Sequence, residues 1–311
     1  MESCEGYLKG VFAIVIASFL WGTTGLAAHY SEAVSALAIG AFSSGIGGVL
    51  LVFTSRYKLW NDYKLMLQQP KVLLLGAVSV AIYPLAFYSS MRLSGIAIGT
   101  VVSIASAPLF AAMLDCLISK KQISLQWVLS FFIGSSGVVL LVLGKEQKLL
   151  ESQSLDQEML GVLLGCIAGL AYASYSWAAK RLIENGVHSR SSMSGLFGCA
   201  ALLLLPSLWF TGDNLFSNPM NALVSLYIGI IPMFIGYLLF GFGLNYIDVS
   251  KATLITLIEP LIATVLAVCL IGEKFKAIGW IGVCLVSLCL LIQTFSPRTL
   301  SIIRAESVPN E

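Results

Sequence analysis

The stretch TLITLIEPLIATVL (residues 253–266) sets a carboxylic acid, Glu259, and then Pro260 in the middle of an apolar run. With its flanks the run extends over about 248–271. A hydrocarbon core about 30 Å thick needs roughly 20 residues of apolar helix to cross it. Runs of that length recur at about 8–28, 33–54, 72–91, 95–118, 125–143, 159–180, 190–210, 221–241 and 277–296, separated by short polar punctuation. With 248–271 they make ten expected helices. Transmembrane strands would alternate in segments of about ten residues, and no such alternation occurs, so a β-barrel is set aside.

Composition agrees. Of the 311 residues 58% are hydrophobic and 11% charged, against about 25% charged in a soluble domain. The formal net charge of +2 is not gathered into a basic patch, so no nucleic-acid partner is expected. The first span is read as a retained helix, not a cleaved signal, because Glu2 and Glu5 spoil a basic leader and the run is of spanning length. With the N-terminus inside, thirteen of the eighteen Lys and Arg fall in inner loops and termini and five (Arg92, Lys145, Lys148, Lys274, Lys276) outside. That asymmetry predicts that both termini are cytoplasmic. The seven cysteines form no C-x-x-C pair, and His29 and His188 are the only histidines, so neither a metal nor a cofactor is expected.

The chain reads as duplicated. A shift of 151 residues lays GVFAIVIASFLWGTTGLAAHY (10–30) on GVLLGCIAGLAYASYSWAAKR (161–181), with Gly10/Gly161, Val11/Val162, Ile16/Ile167, Ala17/Ala168, Ala27/Ala178 and Ala28/Ala179 identical. At 153, Gly76, Ile82 and Leu85 meet Gly229, Ile235 and Leu238, and at 152 Pro108 meets Pro260. The expected units are a five-helix repeat at 8–143, a polar linker at 144–158, a second five-helix repeat at 159–296 and a cytoplasmic tail at 297–311. An odd number of spans per repeat forces the two to insert in opposite senses. Inverted repeats give two pseudo-equivalent packings around a midplane site, the architecture of alternating access. Stripes of small residues at Gly161, Gly165, Gly169 and Ala173, at Gly95, Gly99, Ser103 and Ala107, and at Gly40, Ser44 and Gly48 mark faces where helices approach closely.

An acid at the centre of a span costs about 2.5–3.5 kcal/mol on insertion scales and is normally turned into the bundle or a watery cavity. Ala252, Thr256, Glu259 and Ala263 share one face by their spacing. Pro260 lacks the N–H that would satisfy the Thr256 carbonyl, and Pro108 does the same to Ile104. Matched helix breaks at Pro108 and Pro260 would point to a midplane site. The residue matching Glu259 in the first repeat is Ala107. Glu259 has two readings: a structural acid bonded to a neighbouring helix, or the partner of a substrate ammonium or of a coupling proton. Trp21, Tyr83 and Tyr172 are the preferred wall residues. Tyr88, Tyr175, Tyr237 and Thr256 join the candidate lining, and Ser103 and Ser106 are candidate donors. Asp115, nearer a span end, is expected to pair with Lys120 or Lys121.

These features resemble the EamA family of the drug/metabolite transporter superfamily. The resemblance rests on SFLWGTTG (18–25), LIEP (257–260), LIGEKF (270–275) and WIGV (280–283), in that order within a duplicated ten-span chain. It implies a ten-helix bundle with a central cavity that moves amino acids, nucleosides, amines or related solutes, often outward and often with protons. Tyr172 stands where the family often has tryptophan, and Lys120-Lys121 where it often has Gly-Glu. The expectation is an all-α secondary transporter of small organic solutes in the cytoplasmic (inner) membrane, in contact with lipid and, through Glu259, with protons; its oligomeric state is not legible. No G-x-x-x-x-G-K-[ST] loop occurs to drive it with ATP. The alternatives are a membrane enzyme for a lipid or isoprenoid substrate, which would gather acids, histidines or arginines where a span meets water, and a passive facilitator.

Overall fold

A computed structural model describes residues 4–31, 33–144, 155–272 and 276–294. The helices are α1 (Cys4–His29), α2 (Ala36–Leu67), α3 (Pro70–Leu117), α4 (Leu125–Gly144), α5 (Leu155–Glu184), α6 (Ser189–Thr211), α7 (Pro219–Ile228), α8 (Gly236–Gly243), α9 (Val249–Ile255), α10 (Ile258–Leu266) and α11 (Ala277–Thr294). Wider π-type turns over Gly229–Ile235 and Ala267–Ile271 continue α7 into α8 and extend α10. Among the described residues, ten segments are long and apolar enough to cross a membrane. Most of the linker expected over 144–158, all of the tail over 297–311 and residues 273–275 of the LIGEKF motif lie outside the described residues.

The helix α3 holds two of the ten. Straight, its 48 residues would reach about 72 Å, more than twice the hydrocarbon thickness. Instead the chain reverses between Met91 and Gly99. A Cβ on Gly99 would stand 2.7 Å from Met91 Cα, and the Thr100 hydroxyl lies 3.4 Å from Met91 Sδ. The third and fourth spans, Pro70–Ser94 and Ile98–Leu117, are therefore two arms of one helical hairpin.

Packing gives the relation between the repeats. Near its start α1 meets Tyr246 and Ile247 at Gly10. By contrast, α5 begins at the opposite end, with Gly161 on Ser94, and finishes at the Cys4 end, where Glu184 meets Lys121. The corresponding first helices of the two repeats thus run in opposite directions. Their surroundings correspond too: α1 lies against α8 and α10, as α5 lies against the two arms of α3, while α2 pairs with its counterpart α6 and α4 with α11.

Small residues make these approaches possible. A Cβ at Gly165 would come 2.9 Å from Ser90 Oγ and 3.0 Å from Val102, and one at Gly169 would stand 2.9 Å from the Ser103 carbonyl. Lipid is as apolar as leucine, so such backbone proximity supplies the cohesion that water-driven burial supplies elsewhere. Large apolar side chains face outward instead, including Trp209, Phe210 and Leu202, where acyl chains can cover them.

Candidate functional site

The site builds outward from the gap between α9 and α10. The first ends at Ile255 and the second begins at Ile258, with Thr256 and Leu257 forming a turn. The Thr256 carbonyl is not left orphaned, as the missing Pro260 N–H had suggested. It accepts the Glu259 N–H at 3.0 Å, a bond one residue shorter in span than an α-helical one. Tightening the turn recovers the acceptor. Pro260 then falls in the first turn of α10, where an N–H has no intrahelical partner to lose. The face expected to carry Ala252, Thr256, Glu259 and Ala263 is accordingly divided between two short helices.

The matched break at Pro108 is absent. Pro108 is buried within the second arm of α3, which runs unbroken through it. There α5 crosses closely: the Ala107 backbone nitrogen lies 3.2 Å from where a Gly169 Cβ would stand, leaving little room for the helix to open. The two repeats share the proline and differ in its consequence.

Glu259 is half-buried, and its carboxylate has no hydrogen bond or ion pair among the described residues. The side chains of Tyr83, Tyr88, Tyr172 and Tyr237 lie within electrostatic reach of it. The helix α1 approaches on the other side at Gly22, where a Cβ would stand 3.0 Å from the Glu259 carbonyl oxygen and 2.8 Å from Ile262 Cγ2.

An aromatic wall accompanies the acid. Trp21 of α1 lies 4.9 Å, ring centre to ring centre, from Tyr237 and 5.4 Å from Phe240, both on α8. On α5, Tyr172 and Tyr175 stand 5.3 Å apart, and Tyr83 of α3 lies 5.7 Å from Tyr172. Internal bonds fix the rings. Tyr172 donates to the Thr256 hydroxyl at 3.0 Å, the Tyr175 and Tyr237 hydroxyls pair at 2.9 Å, and Trp21 Nε1 donates to the Pro232 carbonyl at 3.0 Å. That carbonyl belongs to the Gly229–Ile235 π-type turn, a kind of irregularity common at functional sites. Both repeats contribute: Trp21, Tyr83 and Tyr88 come from the first, Tyr172, Tyr175, Tyr237, Thr256 and Glu259 from the second.

Two candidates fall elsewhere. Ser106 faces the α5 backbone at Gly169, and Ser103 is buried in the same seam, its hydroxyl without a partner among the described residues. Both line a helix contact, because the continuous α3 keeps the face bearing them against α5. Tyr88 is half-buried and stands against Gly40 of α2. Three wall rings escaped the sequence reading. Phe87 and Phe240 follow Tyr83 and Tyr237 at helical spacings of four and three, a signal that was there to use. Phe197, 4.1 Å from Tyr237, arrives from α6 and left none.

At the Cys4 end, Asp115 does not form its expected ion pair. Its Oδ2 accepts the Ser250 N–H at 3.0 Å, capping α9 from across the bundle. Lys121 instead bridges Glu184 at 2.8 Å and Asp248 at 2.6 Å, tying the first repeat to two helices of the second. Burial acts to lower the Lys121 ammonium and to raise the Asp248 carboxyl; their mutual bond, joined by Glu184 on Lys121 and by the charges of Lys180 and Lys251 near Asp248, outweighs it, holding Lys121 above and Asp248 below its ordinary range. Lys180 is buried and donates to the Leu244 carbonyl at 2.8 Å.

Among the described residues, ten membrane-length helices in two inverted five-helix repeats, with an acid and aromatic rings brought together from both repeats, define a multi-pass membrane protein. The chain matches the EamA-like transporter family over residues 8–143 and again over 159–295, and it belongs to that family. It is 33% identical over 298 residues to the Uncharacterized transporter YwfM of Bacillus subtilis (strain 168), covering 94% of this chain and 96% of that one. It is 23% identical over 285 residues to the Uncharacterized inner membrane transporter YicL of Salmonella typhimurium, covering 89% and 92%. A solved crystal structure shares the fold at a TM-score of 0.77 and 20% identity, over 98% of this chain and all of its own. A membrane transporter role for a small solute follows from the family.

Proposed function

We propose that the protein is a secondary transporter, not driven by ATP, of small organic metabolites such as amino acids, amines or nucleosides, working by alternating access around Glu259 and exporting its solute from the cell. The observation that carries this reading is the acid itself. A carboxylate held in a span at a cost of about 2.5–3.5 kcal/mol, beside a helix break where α1 meets α10, has no protein partner among the described residues. A partner from outside answers that cost, and a solute and a proton are the two that fit. One carboxylate that exchanges one for the other couples their movements. The residues of both repeats around it suit a site that opens to each side in turn.

The predominance of Lys and Arg in loops at the Cys4 end supports cytoplasmic termini and a place in the cytoplasmic membrane. Outward transport is the direction the family resemblance implies. The test is flux of labelled solutes in liposomes holding the purified chain, with and without an imposed proton gradient. Gradient-dependent uptake that Glu259→Gln removes is the expected result. Uptake indifferent to both the gradient and the substitution would refute the coupling role.

A further inference from the structure

The geometry points to an organic monocation, an amine with an aromatic body and no carboxylate, as the solute held beside Glu259. The inference deepens the transporter reading and rests on it. It begins from the charges that surround the site. No Lys, Arg or His occurs in residues 10–28, 72–91, 159–179, 191–243 or 252–271, the segments from which the acid and its wall are built. Lys180, the most deeply buried basic residue among those described, is held at the Cys4 end by the Leu244 carbonyl. The carboxylate of an amino acid or other organic acid would therefore meet the negative charge of Glu259 and no positive side chain.

The backbone offers an anion little more. Among the described residues the start of α10 is the helix N-terminus at the acid, and N-termini attract anions through their free N–H groups. Here Pro260 has no N–H, the Glu259 N–H is spent on the Thr256 carbonyl, and the Glu259 carboxylate sits in that first turn. A cation finds the reverse. The carboxylate lacks a partner among the described residues, and Tyr83, Tyr172 and Tyr237 lie within electrostatic reach of it, with Trp21 packed on Tyr237. Their attraction for an ammonium is worth about 0.5–2 kcal/mol per well-placed ring. The hydroxyls of Tyr172, Tyr175 and Tyr237 already bond within the protein, so Tyr172 and the donor of the Tyr175–Tyr237 pair are not free to hydrogen-bond a carboxylate. An aromatic body on the ligand would extend this aromatic cluster by the same edge and face contacts its rings make with one another.

The experiment compares compounds that share one ring and differ in charge: 2-phenylethylamine, phenylalanine, 3-phenylpropanoate and neutral 2-phenylethanol. Binding to the full chain in detergent is measured by calorimetry, and flux is measured in liposomes. The amine is expected to bind at least tenfold tighter than phenylalanine or phenylpropanoate. Glu259→Gln should erase that preference, and Glu259→Asp, which restores the charge, should keep it. Should the glutamine variant fail to fold, the wild-type ranking and the aspartate variant carry the test. Equal or tighter binding of phenylalanine or phenylpropanoate, or an amine preference that survives Glu259→Gln, overturns the proposal. Selective amine binding with no flux of any compound upholds cation selection and sinks the transporter reading. Flux of phenylalanine in preference to the amine does the opposite.

Discussion

Two glycines of α1, three residues apart, should respond to alanine with opposite signs. At Gly22 the added Cβ would lie 2.8 Å from Ile262 Cγ2 and 3.0 Å from the Glu259 carbonyl oxygen; at Gly25 nothing stands within 4 Å. Carbon atoms rest at about 3.5–4.0 Å, so α10 must recede from α1 by about 0.5–1 Å to admit Gly22→Ala. The isoleucine can rotate, but the carbonyl belongs to the turn that carries Glu259 and moves only with it. Overpacking of this kind costs about 1–3 kcal/mol, against a helix-propensity gain of up to about 1 kcal/mol. Gly22→Ala should therefore lose up to about 2 kcal/mol, while Gly25→Ala should gain up to about 1 kcal/mol. At about 2–4 °C per kcal/mol, thermal unfolding of the detergent-solubilised chain should separate the variants by several degrees. Gly22→Ala should also weaken solute binding and Gly25→Ala leave it unchanged. Equal shifts of the same sign would show that α1 and α10 do not meet at Gly22, and the placement of Glu259 against α1 would fall with that contact.

Thr256→Val should destabilise more than Tyr172→Phe. The first leaves a buried phenol without its acceptor, at about 1–3 kcal/mol, whereas the second loses one bond worth about 1 kcal/mol and leaves the Thr256 hydroxyl on the Thr253 carbonyl; chemical denaturation of the two variants checks the order. Lys121→Met should cost about 1 kcal/mol, since its partners are partly exposed. Asp248, held low, contributes above about pH 4 and loses its contribution as pH falls through its folded value; Lys121, held high, contributes below about pH 10 and loses its contribution as pH rises through its own. The wild-type advantage over Lys121→Met in melting temperature should thus be flat from about pH 5 to 9 and shrink in acid. Pro260→Ala should alter solute binding more than Pro108→Ala, because only the former adjoins a helix break; binding of one labelled solute to both variants decides it.

Much of this protein is legible in one dimension because a bilayer is an anisotropic solvent. It demands apolar runs of a set length, and those runs can be counted, so ten spans, no strands and the inverted relation of two five-span halves follow from reading the chain alone. The cost of an acid in such a run likewise makes Glu259 a candidate from the chain alone, and aromatic residues on other spans expected to line the interior make candidates of Trp21, Tyr83, Tyr172 and Tyr237.

Tertiary structure decided which equivalent positions behave equivalently. The same proline sits in both halves, yet α5 crosses closely enough at Gly169 to hold α3 continuous through Pro108, while the chain before Pro260 parts into α9 and α10. Residue types could not tell that Ser106 faces a helix backbone, that Asp115 caps α9, that Lys121 bridges two other helices, or that Phe197 joins the wall from α6. Hydropathy and spacing constrain each helix by itself. Which face of it meets another helix depends on packing among all of them at once, and that is settled only when the bundle closes.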